Sequence, residues 1–152
     1  MTGRTTTLCF QGAESEPFQP RAGIPQGSPL SPILFLFYNA ELIDIYSKSI
    51  LRVTASGFVD DVNILAYSQS TAGNCKKLEK VHERCLAWAK RFGLKFASQK
   101  YELIHFSRRY SFDLSATVQL RGIALEPKQD VRVLGVWIDT KLKWKSHARE
   151  IT

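Results

Sequence analysis

Two adjacent carboxylates, Asp60 and Asp61, interrupt an apolar hairpin pattern, with Val53, Phe58 and Val59 before them and Val62, Ile64 and Leu65 after. A tight hairpin ordinarily turns on Gly or Asn, because its loop positions need positive φ. No glycine lies between Gly57 and Gly73. Asp is at home in solvated turns, so a plain surface turn is one reading of the pair. The other is that the sequence accepts a costly turn in order to hold two like charges side by side. Both stay ionised when a cation compensates them, and hard oxygen ligands of this type suit Mg²⁺. Alone the dipeptide favours the plain turn; together with the rigid segment at residues 23–32 it points to metal-dependent nucleotidyl transfer.

Upstream, residues 23–32 read Gly-Ile-Pro-Gln-Gly-Ser-Pro-Leu-Ser-Pro, a proline-bracketed and highly specific run. Followed by Phe58-Val59-Asp60-Asp61, it resembles motifs B and C of reverse transcriptases. The likeness is to the non-LTR (LINE-type) retrotransposon enzymes, particularly fungal ones. Between Ser28 and Asp60 there is room for one apolar helix and one strand, as in that family's palm subdomain. Group II intron proteins and telomerases share the acidic hairpin, and viral RNA polymerases carry a related one. The form of residues 23–32 and the stretch 100–106 favour the LINE type.

Composition agrees with a nucleic-acid partner without requiring one. The 152 residues carry 21 Lys and Arg against 14 acids, a net charge of +7. A pI of about 9.5 is the electrostatic footprint of a polyanion binder. Cys9, Cys75 and Cys85 form no Cys-x-x-Cys pair and have no zinc-like spacing to His82, His105 or His147. They read as reduced thiols in an intracellular chain. The longest apolar stretch, residues 33–38, is far short of the roughly 20 residues a membrane span needs.

Propensity predicts a strand over residues 5–10 and a polar turn over 12–20. Ser31 before Pro32 reads as a helix N-cap with proline at the first helical position, opening a helix over about 32–49. Its start is apolar nearly all round, which predicts burial early and exposure late. A polar loop over 68–73 leads to a second helix over about 74–92. There Leu78, Val81, Cys85, Ala89 and Phe92 form one apolar face, and Gly93 is a C′ stop. Lys76, Lys77, Lys80, Arg84, Lys90 and Arg91 read as its solvated face. Further strands are expected at 94–96 and 102–106 around Lys100, at 118–120 and 123–125 around Arg121-Gly122, and over 131–139. In that last run Gly135 marks a bulge or a close backbone approach.

The resemblance covers about residues 5–150 and implies an α+β polymerase palm. Such a palm is a small antiparallel sheet with helices packed on one face, here incomplete on the N-terminal side. It divides the chain into a partial palm (1–130) and a primer-grip hairpin with the start of the thumb (131–152). It implies an RNA template, a DNA primer and a nucleoside triphosphate, with two Mg²⁺ ions, or Mn²⁺ in their place. Asp60 and then Asp61 are the implied metal ligands, while Gln26, Gly27, Ser28 and Phe58 would contact nucleotide and template. Lys100 corresponds to the motif D lysine near the pyrophosphate, although Ala97-Ser98-Gln99 stands where many relatives carry an Asn. A plain turn lysine is the alternative. Leu134, Gly135 and Val136 match the primer grip, and the Lys and Arg of 141–149 could meet duplex phosphates. Localisation, nuclear or cytoplasmic, rests on the family alone; the oligomeric state is not implied.

The sequence departs from the family pattern upstream of motif B. The first catalytic aspartate belongs there, and only Glu14 and Glu16 precede Gly23. Asp44, Asp113 and Asp139 all follow the loop. The expectation is a fragment or truncated copy whose Asp60 and Asp61 bind metal weakly and which does not polymerise alone. The alternatives are a non-catalytic basic nucleic-acid-binding module and a decayed copy of marginal stability. In the decayed copy, the strands of 53–67 would keep an unpaired edge.

Overall fold

The computed structural model describes residues 3–20, 23–24, 27–47, 52–109 and 112–151. The chain divides into two compact units, Met1–Tyr38 and Asn39–Thr152.

In the first unit Gln11 and Gly12 both have positive φ, 49° and 82°, the combination a two-residue hairpin turn requires. They join β1 (Cys9–Phe10) to β2 (Ala13–Glu14), with Phe10 opposite Ala13. Pairing resumes where Thr6 and Phe18 exchange two backbone hydrogen bonds of 2.9 Å. The strand expected over 5–10 is therefore shorter, and the expected polar turn over 12–20 contains its return strand.

Helix α1 (Leu30–Ser47) starts ahead of the Ser31-Pro32 reading. Ser28 closes its entry instead: the Ser28 carbonyl accepts from the Ser31 amide at 3.0 Å, and its Oγ accepts from the Leu30 amide at 3.4 Å. Pro32 then lies in the first turn, where a backbone N–H would have no intrahelical partner, so its missing donor costs nothing. Burial along α1 runs opposite to the expectation, since Phe37 is 77% exposed and Leu42 only 2%. Apolar periodicity reports which residues favour burial; it does not report which neighbours exist to bury them.

The second unit is built on β3 (Val53–Phe58), β4 (Asp61–Ala66) and α2 (Thr71–Phe92). Strands β3 and β4 pair antiparallel from Val53–Ala66 to Phe58–Asp61. Helix α2 starts ahead of the expected boundary because Ser70 caps it, its Oγ accepting from the Gly73 amide at 3.1 Å. Gly93 ends it as expected, with φ 69° and with the Leu94 amide donating to the Ala89 carbonyl at 2.8 Å, a C′ glycine motif. The buried face carries Cys75, Val81, Cys85, Trp88 and Ala89 and packs against β4 and against β6 (Val118–Leu120). Cys75, Leu103 and Val118 form a core cluster sealed by Leu78, Ala116, Leu120 and Leu125.

No strand forms at 94–96, and the strand expected over 102–106 contracts to β5 (Leu103–Ile104). A strand needs a hydrogen-bonding neighbour, and β5 finds one in parallel β8 (Pro127–Lys128). Strand β6 pairs with β7 (Ile123–Leu125) across Arg121-Gly122, as expected. Strand β9 (Asp130–Val133) pairs with β10 (Val136–Asp139). Leu134 and Gly135 form their turn, with φ 48° and 86°. Gly135 is thus a hairpin-turn residue rather than a bulge. Helix α3 (Lys145–Glu150) packs on β10. Ser146 Oγ donates to Asp130 Oδ2 at 3.0 Å.

The α+β class with small antiparallel pairings holds. In place of one sheet, the described residues form five two-stranded ladders, of which β5–β8 is parallel. Most strands are two to four residues long, too short to offer a second edge of matched length to another ladder.

Candidate active site

The β3–β4 register leaves Val59 and Asp60 as the two loop residues, with Asp61 opening β4 opposite Phe58. Val59 has φ 51° and Asp60 does not share the positive sign. A β-branched residue with that φ carries strain of order 1–3 kcal/mol, so the turn is as costly as its sequence suggests. Phe58, Val59, Asp60 and Asp61 are all exposed. Among the described residues neither Asp60 nor Asp61 engages its carboxylate in a hydrogen bond or ion pair.

Helix α1 contacts this hairpin within the second unit. Asn39, 8% exposed, donates from Nδ2 to the Val59 carbonyl at 3.1 Å. One helical turn on, Ile43 closes over Gly57, where an added Cβ would stand 3.1 Å from Ile43 Cδ1. Residues i and i+4 share a helix face, so one face of α1 touches both the turn at Val59 and the β3 arm that leads into it. The sequence carried only a faint signal for Asn39, a lone amide in an apolar helix.

Mg²⁺ is commonly held by one or two carboxylates together with waters and phosphate oxygens. Two exposed, uncommitted carboxylates at adjacent positions fit that partial donor set. No group of three His, Cys, Asp or Glu side chains gathers among the described residues, so the chain offers a two-carboxylate contribution and no closed cage.

The remaining sequence-derived candidates lie elsewhere in the chain. Gly27 has φ 85° in the loop where Ser28 closes the entry to α1; Gln26 lies outside the described residues. Lys100 ends a single 3₁₀ turn, Ser98–Lys100, its amide donating to the Ala97 carbonyl at 2.9 Å. Leu134 and Gly135 form the β9–β10 turn, and Val136 opens β10 opposite Val133. Among the described residues none of Lys100, Leu134, Gly135 and Val136 has a hydrogen bond or ion pair to the acidic hairpin, whereas Phe58, Asp60 and Asp61 come together in one turn.

Asp139 and Asp113, by contrast, are committed to structure. Asp139 accepts from the Lys143 amide with both oxygens at 3.1 Å and from the Lys141 amide at 2.9 Å. These bonds, the one from Lys143 foremost, hold its carboxyl below the usual range. Asp113 accepts from Ser115 Oγ at 2.7 Å and its amide at 2.8 Å, with the same direction of shift. His82 faces Tyr101, Nε2 to hydroxyl 3.2 Å, and burial pushes its imidazole below the ordinary value. On α2 the cations face solvent or neighbours, as in the Arg91–Glu41 pair at 3.0 Å. All three cysteines are free thiols, and no helix among the described residues is long and apolar enough to cross a membrane.

A family model described as reverse transcriptase (RNA-dependent DNA polymerase) matches residues 3–138. The chain belongs to the reverse transcriptase family. It is 28% identical over 135 residues to the probable RNA-directed DNA polymerase from transposon BS of Drosophila melanogaster, covering 87% of this chain and 15% of that protein. Over 155 residues it is 25% identical to the probable RNA-directed DNA polymerase from transposon X-element of the same fly, covering 99% and 16%. The RNA-directed DNA polymerase from its mobile element jockey is 24% identical over 154 residues, covering 97% and 16%. The LINE-type reading of the motifs is borne out by these relatives; the expectation of a particularly fungal likeness finds no support in them. This reverse transcriptase chain spans about a sixth of their length. No solved structure matches it.

Proposed function

We propose that this chain is the part of a retrotransposon reverse transcriptase palm that presents the metal-binding carboxylates for nucleotidyl transfer. The observation that carries the reading is the acidic turn: two exposed, uncommitted carboxylates at the tip of a hairpin that bends on a strained valine. Turn chemistry would choose Gly there, so the local sequence serves something other than the turn. Asp60 is the first ligand and Asp61 the second. Mg²⁺, or Mn²⁺, bound there supplies charge compensation for phosphate oxygens and a lowered pKa for an attacking hydroxyl.

In the same reading, Gln26, Gly27 and Ser28 contact nucleotide and template, with Gly27 permitting close backbone approach. Phe58, exposed opposite Asp61, offers a face to the primer end or the nucleotide. Lys100 supplies charge or a proton to departing pyrophosphate. Residues 131–152 form the primer-grip hairpin and the start of the thumb after a palm portion ending near 130, and the palm is completed by pairings beyond the ladders described. The partners are an RNA template, a DNA primer and a nucleoside triphosphate, in the nucleus or cytoplasm. With two carboxylates, residues 1–152 alone bind metal weakly and do not extend a primer.

Metal-dependent nucleotide binding separates this reading from a non-catalytic basic module. Fluorescent nucleoside triphosphate is titrated into the chain with and without Mg²⁺, alongside Asp60→Asn. Binding that requires Mg²⁺ and is lost in the variant supports the proposal. Salt-sensitive binding of an RNA–DNA hybrid that ignores both Mg²⁺ and Asp60→Ala supports the module instead.

A further inference from the structure

The acidic turn has a second component, contributed by a helix some twenty residues upstream. Val59 holds a backbone conformation that its β-branched side chain disfavours, and its carbonyl is the acceptor for Asn39 Nδ2 at 3.1 Å. Asn39 is buried while remaining the donor. A buried amide is tolerated where its hydrogen bonds are made, and this bond ends on the residue immediately before Asp60. Ile43, one turn along the same helix, meets Gly57 on the β3 arm that leads into Val59. The hairpin tip is therefore pinned on its strained carbonyl and packed on its glycine. Nothing else among the described residues bonds to the turn backbone at Val59.

We infer that Asn39 is a positioning residue for the acidic pair: it stabilises the positive-φ conformer of Val59 and thereby fixes the direction in which Asp60 and Asp61 present their carboxylates. Without the amide, Val59 relaxes to negative φ, the peptide between Val59 and Asp60 rotates, and the two carboxylates no longer face a common cation. This rests on the proposal that the pair binds metal, but its first consequence, the conformation of Val59, does not. Positioning partners of metal ligands commonly change affinity by about 10–100-fold.

The test compares the full chain with Asn39→Leu, which is similar in size but cannot donate, and with the double variant Asn39→Leu/Val59→Gly. Two quantities are read by NMR: the sign of φ at Val59, from its intraresidue amide–Hα Overhauser effect, and Mn²⁺ affinity, from broadening of the Asp60 and Asp61 amides. Asn39→Leu should abolish the positive φ at Val59 and weaken Mn²⁺ binding about tenfold. The double variant should recover the affinity, because glycine holds that conformation unaided.

Retention of positive φ in Asn39→Leu overturns the inference, and so does a loss of affinity that glycine does not recover. Should Asn39→Leu unfold the chain and Val59→Gly fail to restore folding, Asn39 acts as a core residue and the inference falls. Should the unaltered chain show no Mn²⁺ broadening at Asp60 and Asp61, the metal reading fails separately, and the φ of Val59 alone decides the role of Asn39.

Discussion

Asn39 Nδ2 donates to the carbonyl oxygen of Val59 at 3.1 Å, linking α1 to the turn that carries Asp60. Deleting the donor leaves a partly buried acceptor unsatisfied, at a cost of about 1–2 kcal/mol. Asn39→Ala should lower the urea midpoint accordingly without changing the denaturant slope.

Val59→Gly should act in the opposite direction. Removing the strain of positive φ at a β-branched residue outweighs the added flexibility of the unfolded chain, for a net gain of about 1 kcal/mol. Equilibrium unfolding in urea checks it, and a loss of stability would mean that the φ of Val59 carries no strain.

The two arms of this hairpin were legible in the sequence, and so was the turn at Arg121-Gly122, because alternation and local turn chemistry are written within a few residues. Gly93 as a stop was legible for the same reason. The turn at Leu134-Gly135 was not, since a glycine inside an apolar run reads equally as a bulge. Nor was the start of α1: Ser31-Pro32 satisfies the N-cap pattern as well as Ser28 does, and only the hydrogen bonds of Ser28 decide between them. The strand expected at 94–96 failed because a propensity does not create a partner. The acidic pair stood out by its cost, whereas Asn39 did not, since the carbonyl that explains it lies in another element.

Leu42, 2% exposed in α1, tests where the core lies. Leu42→Ala should cost about 2–5 kcal/mol, whereas Phe37→Ala, on the exposed early part of the same helix, should change the urea midpoint little. The burial expected from the sequence alone would reverse that order.

Asp139 gives the fold an acid sensitivity. Its carboxyl is held below the ordinary value of 3.8, first by the Lys143 amide, so folding favours the ionised form. The stabilisation is present above that ordinary value and is lost as pH falls through the lower folded value. Asp139→Asn should flatten the acid limb of a stability–pH curve measured by urea unfolding.

His82 works in the same direction over a different window. Burial lowers its imidazole from an ordinary 6.5, so the folded chain resists a proton that the unfolded chain accepts. Stability is undiminished above that ordinary value and declines as pH falls from it toward the lower folded value. In His82→Gln this mid-acid decline should disappear, while the Asp139 limb at lower pH remains.

Whether Asp60 and Asp61 form a metal-binding pair is read at the residues themselves by Mn²⁺ titration of isotope-labelled chain, followed amide by amide. A metal-binding pair gives broadening that begins at residues 57–62 and is lost in Asp60→Asn, which keeps the fold. Broadening centred on Asp113 or Asp139, or a titration that Asp60→Asn leaves unchanged, would contradict it.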